Sequence, residues 1–249
     1  MNTAFQMIYI ASEENENEIH PRFQTDAKAM QEAGILVGTK PLPNVKQLMY
    51  KGFTILEREK YPKDSRYIHS FEENIKYNYM SLYYPHIADL TIETFFVDDL
   101  DESLPELIRQ RGWNRVFIKK DYHALEHIEE GKSVWPDTSF DEMKELYKLG
   151  MQHDGKYAIR KYIEPEKLKN EIRYWVLNGR IYRRDGIIPE IVKEAALRLN
   201  KLGSKYYTID ATPEFVVEVN PGESSDRHAE NSAELFASWI KKELSLIHI

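Results

Sequence analysis

Apolar and polar positions along the first fifty residues predict a small α/β unit. Residues 5–11 form an apolar run that is typical of a strand, and residues 25–33 carry apolar positions at helical spacing before Gly34. A second short strand over 35–38 follows. This order of strand, loop, helix and strand is typical of a small doubly wound sheet. Residues 40–63 contain prolines and glycine without a clear period, so we predict a lobe boundary after them, at residue 85.

From residue 71 onward, helical and strand-like periods follow one another as far as residue 219. Helices are predicted where apolar residues recur every third or fourth position and the run stops at a glycine or proline. They cover residues 71–84, 104–111, 140–149 and 189–202. β-Branched and aromatic runs bounded by turn residues predict strands. These cover residues 91–97, 115–120, 157–163, 172–177, 180–183 and 215–219.

The last predicted strand carries oxygen-bearing side chains among apolar residues. Its period-two alternation places Glu218 and Asn220 on one face. Asp210 would face the same side if residues 212–214 form a three-residue loop, whereas a two-residue loop would turn it away. Mg²⁺ is typically held by one or two carboxylates together with substrate phosphates. The hairpin therefore predicts a nucleotide-phosphate site, and a solvated strand followed by a plain turn is the alternative.

Composition narrows the possible classes of protein. The chain of 249 residues has no cysteine, which excludes disulfides, thiolate zinc sites and cysteine nucleophiles. Its apolar runs fall short of the roughly 20 residues that a membrane helix needs, and its first 20 residues do not resemble a signal peptide, so we expect a cytoplasmic protein without a membrane partner. A net charge of -7 argues against a broad nucleic-acid surface, although Arg180, Arg183 and Arg184 form a basic cluster that suits a small anion.

Four features occur in a fixed order along the chain. A strand ends in Lys119, a second strand runs into residues 160–164, Glu171 and Arg173 begin a hairpin, and the Glu218 hairpin comes last. This order resembles the ATP-grasp superfamily over residues 75–222. The resemblance implies a mixed fold, α+β with an α/β part, in which two α+β lobes clamp ATP and a small α/β N-terminal lobe precedes them. The expected domains are 1–85 and 86–249, the latter with a lid lobe at about 113–163 and a metal-binding lobe at about 164–249.

The resemblance also assigns nucleotide-binding residues by position. Lys119 matches the lysine that contacts the α and β phosphates, with Lys120 as the fallback, and Lys76 matches a second nucleotide lysine. Glu171 matches a glutamate near the ribose hydroxyls. The segment at the adenine edge is Lys161, Tyr162, Ile163 and Glu164. For the lysines the alternative is a solvated surface residue, and for Glu171 it is a strand residue paired with a neighbouring cation.

Metal and catalytic roles follow in the same way. Asp210, Glu218 and Asn220 match the ligands of Mg²⁺, for which Mn²⁺ can substitute. Arg173 and Arg184 are the candidates for binding the transferring oxygens, because a guanidinium fork binds two oxygens at once. Each could instead form a surface ion pair. Residues 224–227 follow the metal hairpin, where family members place groups that bind the acceptor.

The resulting expectation is an ATP- and Mg²⁺-dependent ligase that joins a carboxylate to an amine through an acyl phosphate. Its partners would be small-molecule or peptide carboxylate and amine substrates. One rival is a zinc metallopeptidase, because His123 to His127 fits H-x-x-E-H, with Glu190 or Glu194 as a third ligand. Another is a non-catalytic module that binds a nucleotide or a peptide.

Overall fold

Strands and helices alternate along most of the chain. The computed structural model describes residues 5–122, 131–150, 155–227 and 231–246. The strands are β1 (Phe5–Tyr9), β2 (Leu36–Gly38), β3 (Gln47–Lys51), β4 (Thr94–Val97), β5 (Val116–Lys120), β6 (Val134–Trp135), β7 (Tyr157–Lys161), β8 (Ile172–Leu177), β9 (Arg180–Tyr182), β10 (Tyr206–Ala211) and β11 (Val216–Pro221). The helices are α1 (Gln24–Glu32), α2 (Phe71–Asn78), α3 (Met80–Ile87), α4 (Leu104–Gln110), α5 (Phe140–Gly150), α6 (Pro165–Leu168), α7 (Glu190–Leu199) and α8 (Ala233–Leu246).

The first three strands form a parallel sheet with β1 in the middle. All of β1 is buried because its two faces meet two different cores, with Met7 in one and Ile8 in the other. α1 connects β1 to β2, as the sequence predicts for a small doubly wound unit. β3 is a strand that the sequence pattern missed, since it lies within the poorly periodic stretch 40–63.

The central sheet is antiparallel, in the order β4, β7, β5 and β6. Strand alternation gives it two unlike faces. One face carries Ile118 and Ile159, which are buried in a core with α4 and α5. Phe117 pairs with Arg160 in register, and Lys119 lies two residues beyond Phe117, so these three side chains share the opposite face. The sheet begins before the predicted lid boundary at residue 113, because β4 pairs with β7.

The C-terminal sheet is also antiparallel, in the order β11, β10, β8 and β9. Tyr174, Val176 and Tyr207 lie on one face and pack in a core with α2, α3 and α7. The other face is apolar over half of its length, where Trp175 and Leu177 pack against α8 and the N-terminal sheet. Its remaining half carries the charged residues of the candidate site.

The predicted helix over residues 71–84 is wrong, because two helices occupy this region. Tyr79 between them has extended backbone (φ -95°, ψ 117°). The backbone N–H of Met80 donates to Asp121 O at 2.8 Å, and that of Ser81 donates to Asp121 Oδ1 at 2.6 Å. Asp121 therefore satisfies the first amides of α3 from a distant part of the chain. Residue 85, the predicted domain boundary, lies inside α3, and the division into domains stays a prediction.

The last helix, α8, lies beyond the part of the chain for which the sequence pattern gave a prediction. Phe236 and Ile240 on this helix are buried against Trp175 of the C-terminal sheet and Phe5 of the N-terminal sheet. The helix thus joins the first and last sheets in one core. Among the residues that the structure describes, each helix is too short or too polar to span a lipid bilayer.

Candidate active site

Two cavities meet in the cleft between the central and C-terminal sheets. An apolar cavity of about 270 Å³ is lined by Phe117 and Val217 among others. A polar cavity of about 360 Å³ is lined by Lys119 and Glu218. Lys119 lies two residues after Phe117 on β5, and Glu218 directly follows Val217 on β11. The cavities are therefore neighbouring parts of one cleft, one suited to an apolar ring and the other to charged groups.

The apolar cavity has a wall of backbone and side chains from the segment between β7 and α6. Ile92, Val134, Ile163, Pro165 and Leu168 supply its apolar surface. Lys161 N–H donates to Glu93 O at 2.9 Å and Tyr162 N–H donates to Arg115 O at 3.4 Å, so these two amides already have protein partners. Glu164 is exposed and contributes to a different cavity. The wall of this cavity is therefore mainly apolar.

The two predicted carboxylate ligands lie directly opposite each other. Asp210 on β10 pairs in register with Glu218 on β11, which places both side chains on one face. The connection comprises the four residues 212–215, so neither loop length considered from the sequence is the observed one. A register shift between Asp210 and Ala211 makes Val217 an extra residue on β11. This bulge keeps the two carboxylates on the same side.

Lys119 and Glu218 form an ion pair that bridges the central and C-terminal sheets. The Lys119 side chain is 6% exposed and that of Glu218 is 32% exposed. Asn220 Nδ2 donates to the second carboxylate oxygen, Glu218 Oε2, at 3.0 Å. Although burial opposes the charged form, the Lys119 ammonium and these hydrogen bonds lower the pKa of Glu218 to about 2. Glu218 is thus a carboxylate anion at neutral pH.

Arg173 and Asp210 form a second ion pair beside the first. Arg173 Nε and Nη2 donate to the two oxygens of Asp210 at 2.7 and 2.6 Å, which is the fork geometry of a bidentate pair. Arg173 Nη1 donates to Asp226 O at 2.9 Å. Burial alone would lower the pKa of Arg173, but the bonds to Asp210 raise it. The guanidinium is fixed by three hydrogen bonds at the edge of the polar cavity.

Glu171 and Arg160 lie close to these pairs. Burial, together with the negative charges of Asp210 and Glu218, raises the pKa of Glu171 to about 7. Arg160 is buried in the wall of the apolar cavity, and burial lowers its pKa. Its Nη2 donates to Val217 O at 2.8 Å, and its Nε has no hydrogen-bond partner among the described residues. Arg160 supplies a second buried cation to the cleft.

The other predicted residues lie elsewhere. Lys76 donates through Nζ to Leu202 O at 3.1 Å and lines neither cavity. Lys120 turns to the opposite face of β5 from Lys119, where its Nζ lies 3.8 Å from the ring centre of Tyr157. Arg184 is exposed in the turn after β9 and lines neither cavity. Strand alternation thus separates Lys119 from Lys120.

Lys51, at the end of β3, supports the site and was not singled out from the sequence. Its Nζ donates to Gly222 O at 3.1 Å and also to Ser225 O, and it lies 5.4 Å from the ring centre of Trp175. The side chain is fully buried, and burial lowers its pKa to about 8. Lys51 therefore fixes the segment that follows Asn220. Sequence alone offers no signal for this role, because the contacts span about 170 residues.

The segment proposed for zinc, His123 to His127, lies outside the described residues. Its suggested third ligands have partners on α7, where Glu190 accepts from Lys193 at 2.5 Å and Glu194 accepts from Arg198 at 2.7 Å. Within the described ranges there is no group of three or more His, Asp and Glu side chains that could hold a metal. The pair of Asp210 and Glu218 has only two carboxylates and so is not such a group. Two can be enough for Mg²⁺, because phosphates complete its coordination shell.

A scan against protein-family models and a search of curated proteins gave no match. Solved structures do match over nearly the whole chain. D-cycloserine synthetase DcsG has a TM-score of 0.64 at 14% identity, covering 97% of this chain and 100% of that one. ATP-grasp ligase PsnB, complexed with minimal precursor, has a TM-score of 0.57 at 10% identity, with 98% and 100% covered. D-alanine–D-alanine ligase from Bacillus anthracis has a TM-score of 0.53 at 12% identity, with 98% of both chains covered.

The chain has the ATP-grasp fold. This confirms the resemblance seen in the sequence and the predicted mixture of α+β lobes with a small α/β lobe in front. At these identities the likeness establishes architecture alone, so the roles of individual residues stay proposals.

The buried Lys51 predicts a specific dependence of stability on pH. Its folded-state pKa of about 8 lies below its ordinary value of 10.5, so between these values the unfolded chain binds more protons than the folded one. The unfolding free energy of the wild type should therefore rise relative to Lys51→Met above pH 8, by up to about 1.4 kcal/mol per pH unit. Urea unfolding of both proteins at pH 7, 8, 9 and 10 measures this difference.

Lys60→Met is the matched control, because Lys60 is exposed and pairs with Glu57 on the surface. Its unfolding free energy should follow that of the wild type across the same pH range. If the difference in unfolding free energy between the wild type and Lys51→Met stayed constant from pH 7 to pH 10, burial would not lower the pKa of Lys51.

Proposed function

We propose that this protein is an ATP- and Mg²⁺-dependent ligase that joins a carboxylate to an amine through an acyl phosphate. The observation that carries the proposal is the pair of neighbouring ion pairs, Lys119 with Glu218 and Arg173 with Asp210, beside an apolar cavity. Each pair holds one cation suited to a phosphate and one carboxylate suited to a metal ion. A polyphosphate that carries Mg²⁺ has the complementary charges and can exchange partners with both pairs.

The nucleotide would lie along the cleft in one direction. The apolar cavity takes the adenine ring between Phe117 and Val217, next to the hinge segment. Glu171 takes the ribose side, near the carboxylates of β10 and β11. Lys119 then contacts the phosphates, and Arg160 adds a buried cation between ring and phosphates. Both lysine and arginine are suited to anionic oxygens, the first as a point charge and the second as a fork.

The residues present fit a magnesium ion. Asp210, Glu218 and Asn220 offer two carboxylates and an amide oxygen on one sheet face. Glu218 stays charged because Lys119 holds its pKa low, and Asn220 bonds to it through Nδ2, which leaves Oδ1 as a ligand atom. These are hard oxygen donors in the number that Mg²⁺ uses beside phosphates. When bound there, the ion would neutralise charge on the nucleotide phosphates.

Arg173 would act on the reacting groups, in the polar cavity at the end of the cleft away from the adenine ring. A substrate carboxylate oxygen attacks the γ-phosphorus of ATP, ADP leaves, and an acyl phosphate forms. Arg173 is fixed so that its guanidinium can donate to the oxygens that gain charge. An amine nitrogen then attacks the acyl carbon, the bond to phosphate breaks, and an amide and inorganic phosphate result. Arg184 is exposed in a turn, so we assign this role to Arg173 alone.

Structures of similar fold support a ligase of small or peptidic substrates. Their printed names include a D-cycloserine synthetase, a D-alanine–D-alanine ligase and an ATP-grasp ligase complexed with a minimal precursor. The direct test incubates the protein with ATP, Mg²⁺ and libraries of carboxylates and amines, and detects ADP together with a condensed product. Tight ATP binding without product in a broad library would instead indicate a non-catalytic module.

Lys119 and Lys120 provide a test with an internal control. Lys119→Met should weaken binding of Mg²⁺–ATP about 10- to 100-fold, because a charge-assisted contact to phosphate is lost. Lys120→Met should bind within about threefold of wild type, since its ammonium lies on the opposite sheet face. Isothermal titration calorimetry measures both. Equal losses in the two variants would contradict the assignment of Lys119 to the phosphates.

Glu218 and Glu214 form a second matched pair on one hairpin. Glu218→Gln should lower Mg²⁺-dependent ADP formation by a factor of about 100 or more, because the charged metal ligand becomes neutral. Glu214 is exposed in the connecting loop, so Glu214→Gln should keep wild-type activity and magnesium dependence. Initial rates against Mg²⁺ concentration give the result. An unchanged magnesium requirement in Glu218→Gln would remove this residue from the metal site.

A further inference from the structure

The polar cavity ends in a third ion pair that the nucleotide and the metal do not use. Arg22 Nη2 donates to Asp226 Oδ2 at 2.5 Å, and both side chains line the cavity. They are about half exposed, at 52% and 56%, in contrast to the two inner pairs. Arg22 belongs to the N-terminal lobe, where it lies in the 3-10 turn Pro21–Phe23 before α1. This lobe therefore builds the outer end of the cavity.

The order of charged groups shows which way the cavity runs. Asp226 accepts a hydrogen bond from Arg173 through its backbone carbonyl and one from Arg22 through its carboxylate. Its carboxylate thus stands between the guanidinium proposed to bind transferring oxygens and the outer guanidinium of Arg22. An anion and a cation thus stand side by side at the outer end of the cavity, next to Arg173.

An aromatic surface completes this outer end. Phe53 follows β3, lines the polar cavity and is 39% exposed. The Arg22 guanidinium lies 5.8 Å from its ring centre, and the His20 ring packs edge-on against it at 5.1 Å. Phe23 packs on it at 5.6 Å. The ring is therefore held from several sides while one part of it remains open to the cavity, where it offers apolar contact to a ligand.

From this arrangement we infer that the amine substrate is a free α-amino acid. Its ammonium group binds Asp226, its carboxylate binds Arg22, and its side chain lies against Phe53. The zwitterion exchanges partners with the outer ion pair, so neither Arg22 nor Asp226 is left without a counter-charge. The transferred phosphate takes the inner part of the polar cavity, and the outer end offers one contact for each of the three groups that an α-amino acid carries: its ammonium, its carboxylate and its side chain.

This inference rests on the proposed ligase function and completes its second step. The ammonium gives one proton to the Asp226 carboxylate, and the neutral nitrogen attacks the carbonyl carbon of the acyl phosphate. The new carbon–nitrogen bond forms as the bond between that carbon and the phosphate oxygen breaks. Inorganic phosphate leaves with the electron pair, and the amide nitrogen loses its remaining extra proton to solvent. The α-carboxylate stays on Arg22 and keeps the nitrogen directed inward.

The test measures ligand binding in the presence of Mg²⁺ and the non-hydrolysable analogue AMPPNP. The probes are the D and L forms of alanine, leucine, phenylalanine, glutamate and lysine, with the amide and the N-acetyl derivative of each. We expect at least one free amino acid with an apolar side chain to bind. Its amide, which lacks the carboxylate, and its N-acetyl derivative, which lacks the ammonium, should each bind at least tenfold more weakly.

Variants assign the two contacts separately. Arg22→Met should bind the free acid and its amide with affinities within about twofold, because the cation that distinguishes them is gone. Asp226→Asn should lose the distinction between the free amine and the N-acetyl form. Arg109→Met is the matched control: Arg109 forms a surface pair with Glu106 on α4, and this variant should keep both preferences.

The outcomes separate this inference from the proposed function. Calorimetry of Mg²⁺–AMPPNP with the wild type comes first, and absence of binding would refute the ligase and the amino-acid site together. Nucleotide binding with no bound amino acid, or with amides bound as tightly as free acids, would overturn the amino-acid site and leave the ligase standing. A preference for the free acid that persists in Arg22→Met would overturn the assignment to Arg22.

Discussion

The ion pair between Lys119 and Glu218 is the interaction on which the site depends, because it is made across the two sheets that form the cleft. Taking two charges out of water costs free energy that a buried pair often fails to recover, so such a pair is poor support for stability by itself. Its effect is instead on charge: the Lys119 ammonium keeps the Glu218 carboxylate ionised. The pKa of Glu218 falls to about 2 despite burial, and Lys119 has a counter-ion in the interior. The cleft thus holds a carboxylate anion next to a lysine in its interior.

The fold gives the cleft these charges through strand alternation. On β5 and β7 one face supplies Ile118 and Ile159 to a core, and the other turns Lys119 and Arg160 toward the C-terminal sheet. On β8, Trp175 and Arg173 share a face, yet Trp175 packs under α8 and Arg173 lies in the cleft. A helix covers one half of that face and leaves the other half to the site. Arg173 and Trp175 can therefore lie two residues apart on one face of β8, the first in the cleft and the second in the core under α8.

These patterns explain how far sequence reasoning could go. Period-two alternation was enough to place Glu218 and Asn220 on one face, because alternation is local. Lys119 and Lys120 stayed alternatives in the sequence, and the structure separates them by placing their side chains on opposite faces of β5. Arg160 was missed because a buried arginine on a central strand looks like any polar strand position until its neighbours across the sheet are known. The break between α2 and α3 comes from Asp121, forty residues away, so no local pattern predicts it. β3 was missed because it lies in a segment without a clear period, residues 40–63. α8 lies beyond residue 219, where the predicted elements end.

Local sequence patterns predict least about the N-terminal lobe, and yet this lobe holds the outer end of the cleft together. Lys51 donates to the carbonyls of Gly222 and Ser225. Gly52, the first residue after β3, donates its N–H to Glu223 O at 2.9 Å. The segment after Asn220 is thereby tied to the first sheet, and Asp226 follows it directly. A shift of the N-terminal sheet relative to the C-terminal sheet would therefore move Asp226. The backbone carbonyl of Asp226, which accepts from Arg173 Nη1, would move with it. The N-terminal lobe therefore sets the distance between Arg173 in the cleft and the Arg22–Asp226 pair at its outer end.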